Sequence, residues 1–488
     1  MSYLLTAPES LAAAATDVNG IAAAMHAANA AAAGQTSGVL AAAEDEVSAA
    51  ITALFNAYGQ EYQAVVRRVS AFESGFTQAL SAAAQTYTQA EAFNDALLNG
   101  FQALLGQPAT AAPVGTSGGG AASLLSANPI TALIMGGTGN PQPAVNYINE
   151  DLNDYIKPIY PQASGFGVFT PEQFWPVTPN LGNMTYAESV AKGVALLDTA
   201  INQQLAIPGN QVVTFGYSQS ASIVNNEIVN LMAAGSPNTD RLAFILAAAG
   251  NNPNGGLLAR FPGFYIPGLD VPFNGALPAN NPYETYVYTA QYDGVAHAPQ
   301  YPTNILADVN ALMGYFYVHG SYPTLSATDA IQLPTSPGYA GNTKYFMFLT
   351  QDLPLLQPIR DIPYAGPPIA DIFQPALRVM VDLGYSDYGY ADLPTPAGLI
   401  NIPNPLNVAY SFAQSLWMGP YGAGVEIGVE AGFWGPEYFP DAYPWVPSIN
   451  PGLNLYISPQ FSQPPVTVLS TLSGALGDAL HIIPPIFN

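Results

Sequence analysis

The sequence contains no cysteine and only four histidines among its 488 residues. Disulfides, iron–sulfur clusters and thiolate zinc sites all require cysteine, and four histidines are too few to favour a metal site built from several of them. The sequence therefore predicts a protein without a metal centre.

Basic residues are also scarce, because 9 Lys and Arg stand against 33 Asp and Glu and give a formal net charge of -24. A protein that binds nucleic acid needs clustered basic side chains to neutralise phosphates, and this sequence has no such cluster. The composition therefore argues against nucleic acid as a partner.

Long hydrophobic runs are absent as well. No apolar run approaches the roughly 20 residues that a membrane helix needs, so we expect no transmembrane segment. Residues 1–20 lack the basic start of a secretory signal peptide, and their longest apolar stretch, residues 11–15, is too short for its hydrophobic region. Export of this chain would require another route.

The first part of the chain, residues 1–100, has the pattern of a helical hairpin. Residues 8–33 are rich in alanine, and residues 34–38 supply a turn. Apolar and aromatic residues then recur at alternating spacings of four and three from Ile51 to Phe76, which predicts a second long helix. Because the first helix offers mostly alanine, part of this stripe should pack on helices of a partner, or alternatively on the rest of this chain.

Composition divides the remaining chain into three segments. Residues 101–128 are rich in Pro, Ala and Gly and have the composition of a flexible linker. Residues 129–390 are predicted to form the main folded domain. Residues 391–488 are rich in Pro, Tyr, Gly and Trp, so we expect a packed extension with little regular secondary structure.

Strands and helices are predicted to alternate in the main domain. Short apolar runs typical of buried strands are separated by helical patterns, one of which begins with a capping box at residues 185–188. This alternation indicates an α/β fold with a mostly parallel sheet covered on both faces. The predicted strands are residues 130–135, 212–215, 242–249 and 286–289.

The sequence Gly216-Tyr-Ser218-Gln-Ser220 lies between a predicted strand and a predicted helix, as a nucleophile elbow requires. Glycine at 216 permits a sharp turn, and a small residue at 220 lets the helix approach the strand. Ser218 is therefore the candidate nucleophile. The last position of such elbows is usually glycine, and Ser220 departs from that pattern.

A serine nucleophile needs a general base and an orienting acid, which follow it in the order Asp, His in this fold class. Asp293 comes directly after the strand at residues 286–289, which predicts a position beside the nucleophile. His319 follows on a segment long enough to return over the sheet, and it is the predicted base. The rival acids are Asp270 and Asp308, and the other downstream histidines are His297 and His481.

Two further features complete the predicted site. The backbone N–H groups of Gln219 and of the Gly137–Thr138 loop are candidate oxyanion donors, and the Thr138 hydroxyl is a candidate third donor. The apolar stretch within residues 250–282 is interpreted as a loop that faces the substrate or, equally, as an ordinary packed loop.

The beginning of the chain, with Pro8-Glu9 ahead of the alanine-rich hairpin, closely resembles the mycobacterial PE family. Tyr87 and Glu91 match the Tyr-x-x-x-Asp/Glu export signal of type VII secretion substrates, near the end of the second helix. The resemblance implies that residues 1–100 pair with a PPE-family protein and engage the type VII machinery. It also implies a secreted protein located at the cell envelope, at the cell surface or outside the cell.

The middle of the chain resembles the PE-PPE domain, a cutinase-like serine hydrolase module of α/β-hydrolase fold. That resemblance implies the triad Ser218, Asp293 and His319, and the elbow of this family commonly ends in serine. The two resemblances cover about residues 1–390. The matching segments are residues 135–139, 216–220, 250–256, 292–294, 319–323, 353–360 and 377–385.

The residues and the resemblance together predict a secreted serine esterase or lipase that needs no cofactor and cleaves esters of short to medium acyl chains through an acyl-enzyme. Lipids of the cell envelope are the expected targets. One alternative is an acyltransferase that uses the same triad on envelope glycolipids. The other is a surface or partner-binding protein without catalytic activity.

Overall fold

The computed structural model describes residues 129–385, 390–399, 403–440 and 466–481, with scattered positions between residues 16 and 63. The chain forms two compact units, Met1–Gly119 and Gly120–Asn488. The predicted linker, the residues of the apolar and aromatic stripe and the predicted export signal at Tyr87 and Glu91 lie outside the described residues.

In the first unit, described helical positions lie on both sides of a bend at Gly38. The side chain of Asn56 accepts a hydrogen bond from the backbone N–H of Val39 at 2.8 Å and donates one to its carbonyl oxygen at 3.1 Å. Asn56, beyond the bend, is thus hydrogen-bonded to the residue that directly follows the bend.

The second unit is built on a seven-stranded sheet with the order β2-β1-β3-β4-β7-β9-β8. All neighbouring strands are parallel except the edge pair β8–β9, so the predicted α/β fold with a mostly parallel sheet is confirmed. A separate antiparallel pair, β5–β6, lies in the segment before β7. The strands are β1 Ile130–Ile134, β2 Ala163–Gly167, β3 Gln211–Tyr217, β4 Leu242–Ala247, β5 Tyr265–Ile266, β6 Val271–Pro272, β7 Glu284–Ala290, β8 Ile331–Gln332 and β9 Thr343–Phe348.

The sheet is buried on both faces, as the continuous apolar runs of its strands require. All six residues of β4 are buried. One face packs on the helices α2 (Tyr186–Leu205) and α3 (Gln219–Ala233), and on the other face Phe215 and Tyr288 of the sheet pack against Tyr155. The helices of this unit are α1 Val145–Asp151, continued by a π-helical turn Leu152–Ile156, α2 Tyr186–Leu205, α3 Gln219–Ala233, α4 Leu257–Arg260, α5 Ile305–Tyr317, α6 Gln357–Arg360, α7 Gly366–Asp382, α8 Pro405–Glu430 and α9 Val468–Leu480.

Local signals in the sequence set where α2 begins. Thr185 is its N-cap: the hydroxyl accepts from the backbone N–H of Glu188, whose carboxylate accepts from the N–H of Thr185. This reciprocal pair satisfies two N–H groups that a helix start otherwise leaves unpaired. The predicted capping box is confirmed.

The expectation of little regular structure after residue 390 is wrong for the described part of that segment, which contains the long helix α8 and the helix α9. Two of the residues that indicated loops, Pro405 and Gly419, have helical roles. Asn404 caps α8 ahead of Pro405, a position where proline needs no hydrogen bond. At Gly419 a Cβ atom would overlap the carbonyl oxygen of Ile372, so the glycine lets α8 approach α7 closely.

Among the described residues, no helix combines the length and the apolar character needed to cross a membrane.

Candidate active site

The nucleophile candidate sits at a strained turn between β3 and α3. Ser218 has a positive φ of 57° with ψ of -113°, a conformation that a non-glycine residue adopts only when its surroundings enforce it. A Cβ atom at Gly216 would lie 2.5 Å from the backbone carbonyl oxygen of Ser220, so this position requires glycine. The predicted elbow geometry is present, and it directs Ser218 to the carboxyl end of the sheet.

Ser220, the departure from the usual elbow pattern, is accommodated by the backbone of the elbow. Its hydroxyl accepts a hydrogen bond from the N–H of Tyr217 at 2.8 Å and donates one to the carbonyl oxygen of the same residue at 3.1 Å. The side chain is fully buried, and both hydrogen bonds satisfy it there. The hydroxyl therefore replaces the usual glycine without leaving a buried polar group unpaired.

The structure brings Ser218, His319 and Asp293 together in one hydrogen-bonded chain. Ser218 Oγ lies 2.8 Å from His319 Nε2, and His319 Nδ1 lies 2.8 and 3.0 Å from the two carboxylate oxygens of Asp293. Asp293 is fully buried and His319 is nearly so. The imidazole can therefore take a proton from the serine while the carboxylate fixes its orientation.

The rival residues are engaged or located elsewhere. Asp270 accepts a hydrogen bond from the Tyr265 hydroxyl at 2.8 Å, and the ring of His481 stacks on the same tyrosine at 3.9 Å. His297 accepts from a backbone N–H through its Nδ1 atom, and Asp308 lies in the first turn of α5. The side chain that bridges Ser218 and Asp293 is that of His319.

Tyr322 is a site residue that the sequence analysis did not assign a role. Its hydroxyl donates to Asp293 Oδ2 at 2.8 Å and accepts from the backbone N–H of Ala290 at 2.7 Å, while the N–H of Val295 donates to Asp293 Oδ1. Burial, and then the charge of Asp293, raise the pKa of Tyr322 far above its usual value, so the hydroxyl keeps its proton. Its position three residues after His319 is the signal that could have revealed it.

Two aromatic rings flank the imidazole of His319. The Tyr315 ring stacks on it at 5.6 Å and the Tyr217 ring at 5.8 Å, while the Tyr217 hydroxyl donates to the carbonyl oxygen of His319. Burial raises the pKa of the Tyr217 hydroxyl above its usual value, which keeps it a donor. The base is thus held by ring contacts as well as by Asp293.

A side-chain bridge joins the Gly137–Thr138 loop to the elbow. The Thr138 hydroxyl donates to Gln219 Oε1 at 2.8 Å, and Gln219 Nε2 donates to the Gln173 carbonyl oxygen and to the Ser189 hydroxyl. Since the single hydroxyl proton of Thr138 is used in this bridge, the expectation that it serves as a third oxyanion donor is wrong. The backbone N–H of Gln219 opens α3, where a helix leaves its first N–H groups without an intrahelical acceptor.

Glu172 lies behind this loop. Its backbone carbonyl oxygen accepts from the N–H of Gly139 at 2.9 Å, and its carboxyl group accepts from the Thr170 hydroxyl at 2.6 Å. Burial raises the pKa of the Glu172 carboxyl to about 8. The side chain is fully buried, so the group is neutral near physiological pH.

This raised pKa predicts a pH-dependent stability. Between the ordinary value of 4.5 and about 8, the unfolded chain ionises Glu172 while the folded chain keeps it protonated. Stability is therefore greatest at the acid end of this window and falls as pH rises, by about 1.4 kcal/mol per pH unit for this group. We expect Glu172→Gln to reduce this slope, measured as unfolding free energy in urea at several pH values. Glu150→Gln, at an exposed glutamate, is the control, and equal slopes in Glu172→Gln and wild type would contradict the prediction.

A cavity of about 480 Å³ opens beside Ser218 and His319. Much of its wall comes from the segment within residues 250–282, which supports the interpretation of this stretch as substrate-facing. Apolar side chains dominate the wall, as is typical of a site for an acyl chain. The apolar lining residues are Phe174, Val177, Leu257, Leu258, Ile266, Leu269, Val271, Phe273 and Val295.

Two family models match the sequence, the PE family over residues 4–94 and the PE-PPE domain over residues 161–386. The second range contains Ser218, Asp293 and His319 but not Gly137 and Thr138.

Three relatives from Mycobacterium tuberculosis (strain ATCC 25618 / H37Rv) illustrate the similarity. PE family protein PE3 is 51% identical over 100% of both chains, and Esterase PE16 is 46% identical over 82% of this chain and 73% of its own length. SL1278 acyltransferase Chp1 is 31% identical over 56% of this chain and 66% of its own length.

The chain thus combines a mostly parallel α/β sheet with a nucleophile elbow between β3 and α3, and it is similar to an esterase over most of its length. The match to PE3 extends over the whole sequence. The chain belongs to the PE family and carries a PE-PPE domain.

Proposed function

We propose that the chain is a serine esterase that hydrolyses carboxyl esters of short to medium acyl chains through an acyl-enzyme on Ser218. The observation that carries this proposal is the hydrogen-bonded chain from Ser218 through His319 to Asp293, whose Ser218 end opens on an apolar cavity. A substrate whose acyl chain occupies the cavity presents its carbonyl carbon to the serine.

The reaction follows from the roles of these residues. His319 takes the Ser218 proton as the serine attacks the carbonyl carbon, and Asp293 stabilises the resulting imidazolium. The backbone N–H groups of Gln219 and of the Gly137–Thr138 loop hold the oxyanion. His319 then donates the proton to the leaving alcohol, and water attacks the acyl-enzyme by the same steps to release the acid.

The full-length protein tests the substrate range. A series of p-nitrophenyl esters from acetate to palmitate should give the highest kcat/KM between butyrate and octanoate, because the cavity is apolar and about 480 Å³ in volume. A kcat/KM that keeps rising to palmitate would contradict the preference for short to medium chains.

Acyl transfer is a second candidate, supported by the similarity to an acyltransferase. It uses the same residues and differs only in whether water or an alcohol accepts the acyl group. Product analysis with added glycolipid and simple alcohol acceptors separates the two. Ester products that exceed the free acid in water would favour the acyltransferase.

We further propose that residues 1–100 form the export and partner-binding hairpin, 101–128 a linker, 129–390 the hydrolase domain and 391–488 an extension. Membership of the PE family supports pairing with a PPE protein, export by a type VII system through Tyr87 and Glu91, and location at the cell envelope or outside the cell. Alanine at Tyr87 should retain the protein inside a mycobacterial cell, as measured by fractionation. Gln89→Ala, at a position that the Tyr-x-x-x-Asp/Glu pattern leaves open, is the matched control.

A further inference from the structure

A second apolar cavity, of about 360 Å³, lies between α9 and the segment that walls the catalytic cavity. Leu257 and Phe273 line both cavities and separate them. The second cavity, here called the α9 groove, is lined by no charged side chain. Its residues are Leu257, Phe261, Phe264, Phe273, Leu469, Leu472, Ser473 and Leu476.

The helix α9 is held in place by contacts at both of its ends. Near its start the Thr467 hydroxyl donates to the carbonyl oxygen of Ala397, and at its end the ring of His481 stacks on Tyr265. A Cβ atom at Gly477 would overlap the carbonyl oxygen of Gly263, so the backbones meet there. These contacts hold α9 against the wall segment and leave the groove between them.

The rim of the groove carries large apolar side chains that are exposed, which is unusual where a helix packs on its neighbours. Leu472 is 60% exposed and Leu476 is 52% exposed, although both line an apolar cavity. Exposed apolar area costs about 25 cal/mol per Å² relative to burial, so a hydrocarbon that covered these side chains would bind favourably. An apolar cavity with an apolar rim and no charge fits an alkyl chain better than a polar ligand.

We propose that the α9 groove binds the second alkyl chain of an ester substrate that carries two chains. This inference rests on the proposed esterase function. The chain to be cleaved lies beside Ser218 in the catalytic cavity, and Leu257 and Phe273 separate it from the other chain. A single long chain would have to cross this partition, whereas two chains of one glycerol-like head group lie on either side of it.

The test compares dihexanoylglycerol with monohexanoylglycerol, both kept below the concentrations at which they aggregate. In the full-length protein, Leu472→Glu places a charge at the rim of the groove. We expect the ratio of kcat/KM for the two-chain ester to that for the one-chain ester to fall about tenfold or more, equivalent to about 1.4 kcal/mol of lost binding. Val468→Glu is the control, because Val468 is 69% exposed on the same helix and does not line the groove. It should keep the wild-type ratio.

Each outcome decides the proposal. An unchanged ratio in Leu472→Glu and in a second variant, Leu476→Glu, would overturn it. An equal loss on p-nitrophenyl dodecanoate would also overturn it and assign the groove to the far end of a single chain. If the wild type hydrolyses monohexanoylglycerol but shows no preference for the two-chain ester, the inference fails while the esterase function stands. If it hydrolyses neither, the esterase function itself fails. Circular dichroism of each variant confirms that it is folded.

Discussion

Ser218→Ala lowers kcat for p-nitrophenyl butyrate by about 10⁴-fold or more, because the hydroxyl that attacks the ester is gone while the cavity remains. The same change abolishes covalent labelling by a fluorophosphonate, measured as the mass added to the intact protein. Binding of the substrate should change little, since alanine removes a single oxygen atom from the wall.

The matched control is Ser220→Ala, two residues further along the elbow. It removes the two hydrogen bonds to Tyr217 but keeps the Ser218 hydroxyl, so fluorophosphonate labelling at Ser218 persists. If neither the wild type nor Ser218→Ala hydrolysed the ester and neither were labelled, the result would instead support a protein that binds partners without catalysis.

Asp293→Asn lowers kcat by about 10⁴-fold because it changes the tautomer of His319. In the wild type, the carboxylate accepts from His319 Nδ1, from the Tyr322 hydroxyl and from the N–H of Val295. An amide has one acceptor oxygen and an NH₂ donor, so it cannot receive the same three donors. With its NH₂ toward Nδ1, the histidine proton moves to Nε2, where it blocks removal of the Ser218 proton.

Tyr322→Phe separates this tautomer effect from the loss of one supporting hydrogen bond. The carboxylate of Asp293 keeps its contact with His319 in this variant. We therefore expect kcat to fall only about tenfold, the scale of one hydrogen bond to a charged group. Initial rates and pH–rate profiles of both variants provide the measurement. A decrease in kcat of less than tenfold in Asp293→Asn would show that Asp293 does not orient His319.

Features that depend on neighbouring residues could be predicted from the sequence. The elbow around Ser218 and the capping box at Thr185 are local patterns, and Asp293 follows directly from the end of β7. Two contacts of the site could not be predicted from neighbouring residues. The bridge from Thr138 to Gln219 and the contact of Tyr322 with Asp293 join residues that are far apart or that gain a role only from the fold.

The error in the last segment has the same origin. Proline and glycine favour turns in an isolated segment, and the composition after residue 390 therefore indicated irregular structure. Tertiary packing overrides that preference when proline opens a helix, as at Pro405, and when glycine permits two helices to touch, as at Gly419. At Gly419, the position of α7 decides whether the glycine forms a turn or a helix contact.

Asp293, His319 and Tyr322 all belong to the connection between β7 and β8, whereas Ser218 comes from β3. The acid, the base and their supporting hydroxyl therefore assemble without any help from the serine. A chain that lacks the nucleophile should consequently fold with its proton-transfer apparatus intact and hold an unreacted ester in place. Ser218→Ala is thus a suitable trap for crystallising the protein with its natural substrate and identifying that substrate directly.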